Sequence, residues 1–153
     1  LSSVGRQFGH VGVFSTLKEA YEWSGNVYGS RNRLIEVQNE FEMEGLPGTV
    51  VPAGKAAARW RTAKGMRCAV LSLNTSSTIE KVVGSWGFYP IISVDKVNRV
   101  KPDPEGLFLA LDALGCKPGE AVLIGNSDTD RRCAEAASVD HIDVSAIKEE
   151  WFQ

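Results

Sequence analysis

Short runs of apolar residues alternate along most of this chain with stretches in which apolar residues recur every three or four positions. A continuous apolar run, which is typical of a buried parallel strand, covers residues 68–71, and further strands are predicted at 89–94, 121–124 and 139–144. The periodic stretches, which predict amphipathic helices, cover residues 53–63, 77–86, 103–114 and 131–137. This alternation predicts an α/β fold, a Rossmann-like parallel sheet flanked by helices on both faces.

Turn and capping residues sharpen the predicted helix ends. Gly87 and Gly115 follow two of the periodic stretches, as glycines do where a helix ends. Residues 77–80 (Ser-Thr-Ile-Glu) have the pattern of a capping box, and Asp103-Pro104 predicts an N-cap followed by a proline in the first turn. The spacing within 103–114 predicts one buried face, formed by Leu107, Phe108, Leu111 and Leu114.

The first third of the chain has a different pattern. Residues 18–23 and 32–43 have helical spacing, and the Gly-Leu-Pro-Gly sequence at 45–48 ends the second of these helices. We therefore expect a helical, cap-like segment at 1–48 and an α/β core at 49–153. Residues 11–14 are the candidate for a short strand within the cap-like segment. The cap-like segment would form a lid over the strand ends.

Composition narrows the class of partner. The chain has 153 residues, of which 43% are hydrophobic and 24% charged, which fits one globular core. A net charge of −2 gives no footprint for nucleic acid or for an anionic membrane, and no apolar run is long enough to span a bilayer. Composition therefore gives no sign of a nucleic-acid or membrane partner.

The cysteines indicate the redox compartment. Cys68, Cys116 and Cys133 are odd in number, widely spaced and free of any C-x-x-C pair. This usage predicts reduced thiols and a cytoplasmic location, and it argues against a zinc site, because only two histidines could join them.

Polar residues follow the predicted strands. Ser72 and Asn74 come after the run at 68–71, Lys101 lies in the loop after the next run, and Asn126 and Asp130 follow the run at 121–124. Because the carboxyl ends of parallel strands meet at one edge of a sheet, these side chains should converge there. A hydroxyl, an ammonium group and oxygen ligands for a cation suit phosphoryl chemistry.

The motifs around these residues resemble those of the haloacid dehalogenase-like superfamily, most of whose members are magnesium-dependent phosphatases. Ser72 is at the position of the second motif, Lys101 in Lys-Pro-Asp-Pro-Glu is at that of the third, and Gly125–Asp130 looks like the fourth. The resemblance covers roughly the last two-thirds of the chain. Residues 42–48 also look like the return from cap to core in that superfamily.

The resemblance implies roles for individual residues. The catalytic set would be Ser72, Lys101 and Asp130. The phosphate-binding set would be Ser72, Leu73, Asn74 and Lys101. The ligands of a Mg²⁺ cofactor would be Asn126 and Asp130, and the substrate would be a small phosphorylated metabolite, a phosphomonoester. From charge and geometry we also expect the helix N-terminus after Ser76 to offer N–H donors to an oxyanion.

Two departures from the superfamily pattern bear on activity. Asn126 stands where the fourth motif usually begins with Asp, so one charged metal ligand is replaced by a neutral one. The first motif, Asp-x-Asp, is also missing, and no Asp precedes Asp95. Either the chain begins just after that motif, with Leu1-Ser2-Ser3 following it, or the motif has been lost, with Val-Gly-Val-Phe at 11–14 in the place of its strand.

Two functions therefore remain open. One is a magnesium-dependent phosphatase whose nucleophilic Asp is missing from this chain. The other is a catalytically inactive binding or scaffold subunit with the same fold. The retained Ser72, Lys101 and Asp130 favour the first, whereas the missing aspartates and Asn126 favour the second.

Overall fold

A computed structural model of the chain describes Tyr21 and residues 30–44 and 64–148. The described helices are α1 (Ser30–Glu44), α2 (Ser76–Val83), α3 (Glu105–Leu114) and α4 (Asp128–Ala137). The described strands are β1 (Val70–Leu71), β2 (Ile91–Ile92), β3 (Val122–Gly125) and β4 (Asp140–Asp143). Short 3₁₀ turns lie at Gly84–Trp86, Val94–Lys96, Pro118–Glu120 and Val144–Ala146. The alternation of strand and helix confirms the predicted α/β class.

The strands form parallel pairs, as predicted. β1 pairs with β2, with Val70 opposite Ile91, and β3 pairs with β4, with Val122 opposite Asp140. Among the described residues these are two two-stranded sheets, and β1 and β3 are not hydrogen-bonded to each other. The strand expected at 11–14 and the helix expected at 53–63 lie outside the described residues.

Two apolar clusters join helices to strands. The first connects α1 to the β1–β2 pair, and its buried members are Tyr21, Leu34, Ile92, Val94, Val97, Val100 and Ala110. The second connects α3 and α4 to the β3–β4 pair, and its buried members are Leu107, Leu111, Cys133, Ala134, Ala137 and Val139. Leu71 packs against both clusters, so the two strand pairs share one apolar layer.

Helix α1 belongs to the predicted cap-like segment, and it packs directly on the β1–β2 side of the fold. Leu34 is 1% exposed and lies in the first cluster. The guanidinium of Arg31 donates to the backbone oxygens of Val94, at 3.3 Å, and Val97, at 2.6 Å. α1 is therefore fixed to the turn that follows β2, and the division at residue 48 stays a prediction.

Three local predictions are wrong. The ring of Phe108 is 47% exposed rather than buried, because it lies about 100° around α3 from Leu107, outside the face that meets α4. Helix α2 begins at Ser76, so Ser77 is inside its first turn and does not cap it. The start of α3 lies one residue later than predicted, with Pro104 rather than Asp103 as the N-cap residue. Oδ1 of Asp103 still accepts from the N–H of Glu105 at 2.9 Å.

Two further observations concern the helices and the cysteines of the described residues. None of its helices has the length and apolar character needed to cross a bilayer. Its three cysteines are thiols. Burial raises the pKa of the Cys133 thiol to about 11, so this group is a packing residue rather than a reactive one.

Candidate functional site

A buried ion pair lies where β1 and β3 end. The Nζ of Lys101 is 2.5 Å from Oδ1 of Asp130, and the two side chains are only 11% and 8% exposed. The same Nζ also donates to the backbone oxygen of Leu71, the last residue of β1, at 3.4 Å. Lys101 therefore ties the end of β1 to the start of α4, and within the described residues two of its three N–H donors have acceptors.

The other carboxylate oxygen of Asp130 is held by the helix cap. Ser127 caps α4, and its Oγ accepts from the N–H of Asp130 at 3.2 Å. In return, Oδ2 of Asp130 accepts from the N–H of Ser127 at 3.1 Å and from its hydroxyl at 2.6 Å. This capping box and Lys101 together occupy both oxygens of the carboxylate.

Gly125, the last residue of β3, makes room for this carboxylate. A Cβ at Gly125 would lie 2.5 Å from Cγ and Oδ2 of Asp130, far inside van der Waals contact. Only glycine allows the strand end and the carboxylate to approach so closely, which gives the Gly125–Asp130 spacing a physical reason.

Charge and hydrogen bonding set the ionisation of Asp130. Burial by itself would raise the pKa of this carboxyl group. The hydrogen bonds from Lys101 and Ser127, together with the Lys101 charge, outweigh burial and lower the pKa below its ordinary value. Asp130 is therefore a carboxylate at neutral pH, and it serves to hold the Lys101 ammonium group in place.

The loop after β1 carries the predicted phosphate-binding residues. The Oγ of Ser72 accepts from the N–H of Asn74 at 3.1 Å, which gives the loop a tight turn. The backbone oxygen of Asn74 accepts from the N–H of Val94 at 3.2 Å, and that of Leu73 accepts from Nε2 of Gln38 at 2.7 Å. Contacts from α1 and from the end of β2 thus fix the loop.

A small cleft brings Ser72, Leu73 and Lys101 together. Its other lining residues are Leu71, Ser93, Val97, Arg99, Val100 and Gly106. The serine hydroxyl and the buried ammonium group give the cleft donors that suit an anion. The guanidinium of Arg99 is paired with Asp103 and Glu105, each at 3.4 Å. Asn74 and Asn126 do not line this cleft, and both have exposed side chains.

Glu105 shapes the loop that carries Lys101. Its two carboxylate oxygens accept from the N–H groups of Asn98, at 2.8 Å, and Arg99, at 3.0 Å. The pKa of Glu105 is lowered first by the hydrogen bond from Asn98 and then by those from Arg99. Glu105 is the last residue of the Lys-Pro-Asp-Pro-Glu block. Its carboxylate therefore joins the end of this block to the two residues 98 and 99 just before it, and this contact fixes the backbone on both sides of Lys101.

The expectation that the helix N-terminus after Ser76 offers donors to an oxyanion stays a prediction, but two N–H groups at the start of α2 are already in use. The N–H of Thr75 donates to Oε2 of Glu42 at 3.0 Å, and the N–H of Ser76 donates to Oδ1 of Asp95 at 2.9 Å. Two carboxylates of the chain itself thus occupy the positive end of this helix. An anion therefore finds no free donor at the N–H groups of Thr75 and Ser76.

The described residues do not by themselves form a magnesium site. The carboxylate of Asp130 is already bonded to Lys101 and Ser127, and the amide of Asn126 makes no hydrogen bond to Asp130. No group of three or more His, Cys, Asp or Glu side chains with metal-binding geometry occurs at residues 21, 30–44 and 64–148. One carboxylate that is engaged in an ion pair and one neutral amide are a poor donor set for Mg²⁺.

Several residues that shape the site were not found from the sequence. Ser127 was detectable, because Ser-x-x-Asp at 127–130 is a capping-box pattern at the start of a helix. Gln38, Asn39 and Glu42 had no such signal, because their partners in the 73–75 loop are more than thirty positions away along the chain.

The family match covers more than half of the chain. A model of the family described as haloacid dehalogenase-like hydrolase matches residues 59–144, which include the cleft, the Lys101–Asp130 pair and α4. The matched residues therefore hold every predicted site residue.

Curated relatives with established names match shorter stretches. A phosphoglycolate phosphatase from Rhodospirillum rubrum is 33% identical over 97 residues, which are 61% of this chain and 38% of the relative. The pyrophosphatase PpaX from Bacillus velezensis is 42% identical over 48 residues, which are 31% of this chain and 22% of the relative. The chain thus matches well under half the length of either relative.

Solved structures have the same fold. A haloacid dehalogenase-like hydrolase from Bacteroides fragilis has a TM-score of 0.60 and 25% identity, over 99% of this chain and 81% of that protein. CbbY from Rhodobacter sphaeroides, in complex with phosphate, has a TM-score of 0.58 and 23% identity, over 74% of this chain and 52% of that protein. At these identities the likeness establishes a common fold.

Proposed function

The chain belongs to the haloacid dehalogenase-like hydrolase family, and from that membership we propose that it carries the phosphate-binding part of a phosphatase for a small phosphomonoester. The supporting observation is the buried Lys101, which is held by Asp130 and Leu71 beside Ser72 in one cleft. A buried ammonium group with a fixed counter-ion is suited to a phosphoryl oxygen.

Each described residue has a defined part in this proposal. Lys101 neutralises charge on the phosphoryl group, and the hydroxyl of Ser72 donates to one of its oxygens. Asp130 orients the ammonium group and stays ionised, because its pKa is lowered. The nucleophilic Asp of the family is missing from this chain, since no Asp precedes Asp95.

Only the likeness to magnesium-dependent phosphatases implies a Mg²⁺ cofactor for this chain. Because Asp130 is engaged and Asn126 is neutral, the residues present do not fit a tight Mg²⁺ site. We expect that Mg²⁺ would bind here only if further carboxylates joined Asp130 and Asn126 as ligands.

A non-catalytic subunit of the same fold is the second candidate. The neutral Asn126 and the missing Asp-x-Asp motif favour it. The reading frame upstream of the Leu1 codon discriminates between the two, because an Asp-x-Asp motif encoded there would supply the nucleophile of an enzyme. The relatives are named for two different small phosphorylated compounds, pyrophosphate and phosphoglycolate. They therefore support this class of substrate and do not identify one compound.

Phosphate titration followed by amide chemical shifts tests the binding site directly. We expect shifts at Ser72, Leu73 and Lys101, and we expect Ser72→Ala to weaken binding about threefold, as the loss of one hydrogen bond would. Ser77→Ala is the matched control, since Ser77 is exposed on the neighbouring turn. Shifts confined to exposed arginines such as Arg33, with Lys101 unaffected, would contradict the proposal.

A further inference from the structure

Three side chains of α1 form hydrogen bonds with the loop that follows β1. Nε2 of Gln38 donates to the backbone oxygen of Leu73 at 2.7 Å. Oδ1 of Asn39 accepts from the hydroxyl of Thr75 at 2.7 Å. Oε2 of Glu42 accepts from the N–H of Thr75 at 3.0 Å and lies 3.1 Å from the same hydroxyl, whose single proton Asn39 and Glu42 share.

Two of the residues that make these contacts are buried. Thr75 is 3% exposed and Gln38 is 6% exposed. The amide of Gln38 is also fixed, because its oxygen accepts from the hydroxyl of Tyr21 at 2.6 Å and its nitrogen donates to Oε1 of Glu42 at 2.5 Å. Since buried polar groups are costly to leave unpaired, this network strongly favours one conformation of the loop.

The position of the Glu42 carboxylate also limits where an anion can bind. It occupies the N–H of Thr75, and with Asp95 at the N–H of Ser76 it places two negative charges at the start of α2. A phosphate at that helix end would meet these charges and find no free donor among the two N–H groups. Ser72 and Lys101 line a cleft to which Thr75 and Ser76 do not contribute.

We propose that Glu42, supported by Gln38 and Asn39, is a positioning residue that fixes the Ser72–Thr75 loop and confines a phosphoryl group to its Lys101 side. The phosphoryl ligand in this inference rests on the proposed function, whereas the contacts between Glu42 and the loop are those of the structure. The inference assigns to α1, which precedes the family-matched residues 59–144, a direct part in building the anion site.

Hydrogen exchange tests the geometry without any ligand. In Glu42→Ala the N–H of Thr75 loses its acceptor, so we expect its amide to exchange about tenfold faster, the factor that corresponds to one hydrogen bond to a charged group. Glu40→Ala is the matched control, because Glu40 is exposed on the same helix and its exchange pattern should equal that of the wild-type chain. Unchanged exchange at Thr75 in Glu42→Ala would overturn the inference.

Phosphate titration tests the consequence. In Glu42→Ala we expect phosphate-induced shifts to spread from Ser72 and Lys101 to the vacated amide of Thr75. Glu42→Gln keeps one acceptor oxygen for that amide, so the shift at Thr75 should be smaller than in Glu42→Ala. General destabilisation would not move the shifts in this way.

Outcomes for the two proposals are separable. A wild-type chain without phosphate shifts would refute the proposed function, and the exchange experiment would still decide the role of Glu42. Should Glu42→Ala fail to fold, Glu42→Asp, whose shorter side chain does not reach the N–H of Thr75, takes its place in both experiments with the same expected changes. Wild-type exchange and shift patterns in that variant would reject the inference.

Discussion

Replacing Asp130 with Asn should destabilise the fold by far more than a typical surface substitution. The change removes the negative charge beside Lys101, whose side chain is 11% exposed, and it leaves one acceptor oxygen where Lys101 and Ser127 now use two. Removing one partner of a buried ion pair costs about 3–5 kcal/mol, because the remaining charge stays desolvated. We therefore expect a loss of about that size in the free energy of unfolding.

The assay is urea unfolding followed by circular dichroism, with extrapolation to water. Asp128→Asn is the matched control, since Asp128 lies in the same helical turn, is 64% exposed and pairs with the exposed Arg131. A surface pair of this kind is worth about 0–1 kcal/mol, so the control should change stability little.

A double variant checks the cause. Lys101→Met together with Asp130→Asn removes both charges, so it should be more stable than Asp130→Asn alone, and the two single effects should not add. Equal losses in Asp130→Asn and Asp128→Asn, or strict additivity in the double variant, would refute the argument that the buried pair holds this edge together.

Three further outcomes follow from the same site. The chain as given should hydrolyse aryl phosphates no faster than background with magnesium, and a magnesium-dependent rate abolished by Lys101→Ala would refute this. Calorimetry should show no tight Mg²⁺ binding, and Asn126→Asp should strengthen it by adding a charged ligand; weaker binding would reject the fourth-motif assignment. Gly125→Ala should cost about 1–3 kcal/mol by overpacking against Asp130, whereas Gly119→Ala, with no atom within 4 Å of the new Cβ, should be nearly neutral in thermal unfolding.

Acid stability gives the last prediction. The folded state lowers the pKa of Asp130, so its contribution is present above the unfolded value of about 3.9 and is lost as pH falls through the lower folded value. Asp130→Asn should therefore lose less stability than the wild-type chain between about pH 5 and pH 2. Parallel acid titration curves for the two proteins would contradict this assignment.

Local pattern in the sequence was sufficient for the fold class and for most of the candidate site. Apolar runs and helical spacing depend on neighbouring residues, so they predicted β1, β3, α3 and α4 to within a few positions. Residues at strand ends were also predictable, because parallel topology brings those ends to one edge. Ser72 and Lys101 do line one cleft, and Lys101 does reach Asp130.

Tertiary structure decided which polar groups were already in use. The sequence shows Asp130 as a possible metal ligand, but only the fold shows its two oxygens bonded to Lys101 and Ser127. It shows a helix start at Ser76, but not that Glu42, 33 residues before Thr75, occupies the first donor. Hydrogen-bond partners distant in sequence depend on which surfaces pack together, and that packing follows from burial of the whole apolar core rather than from any local motif.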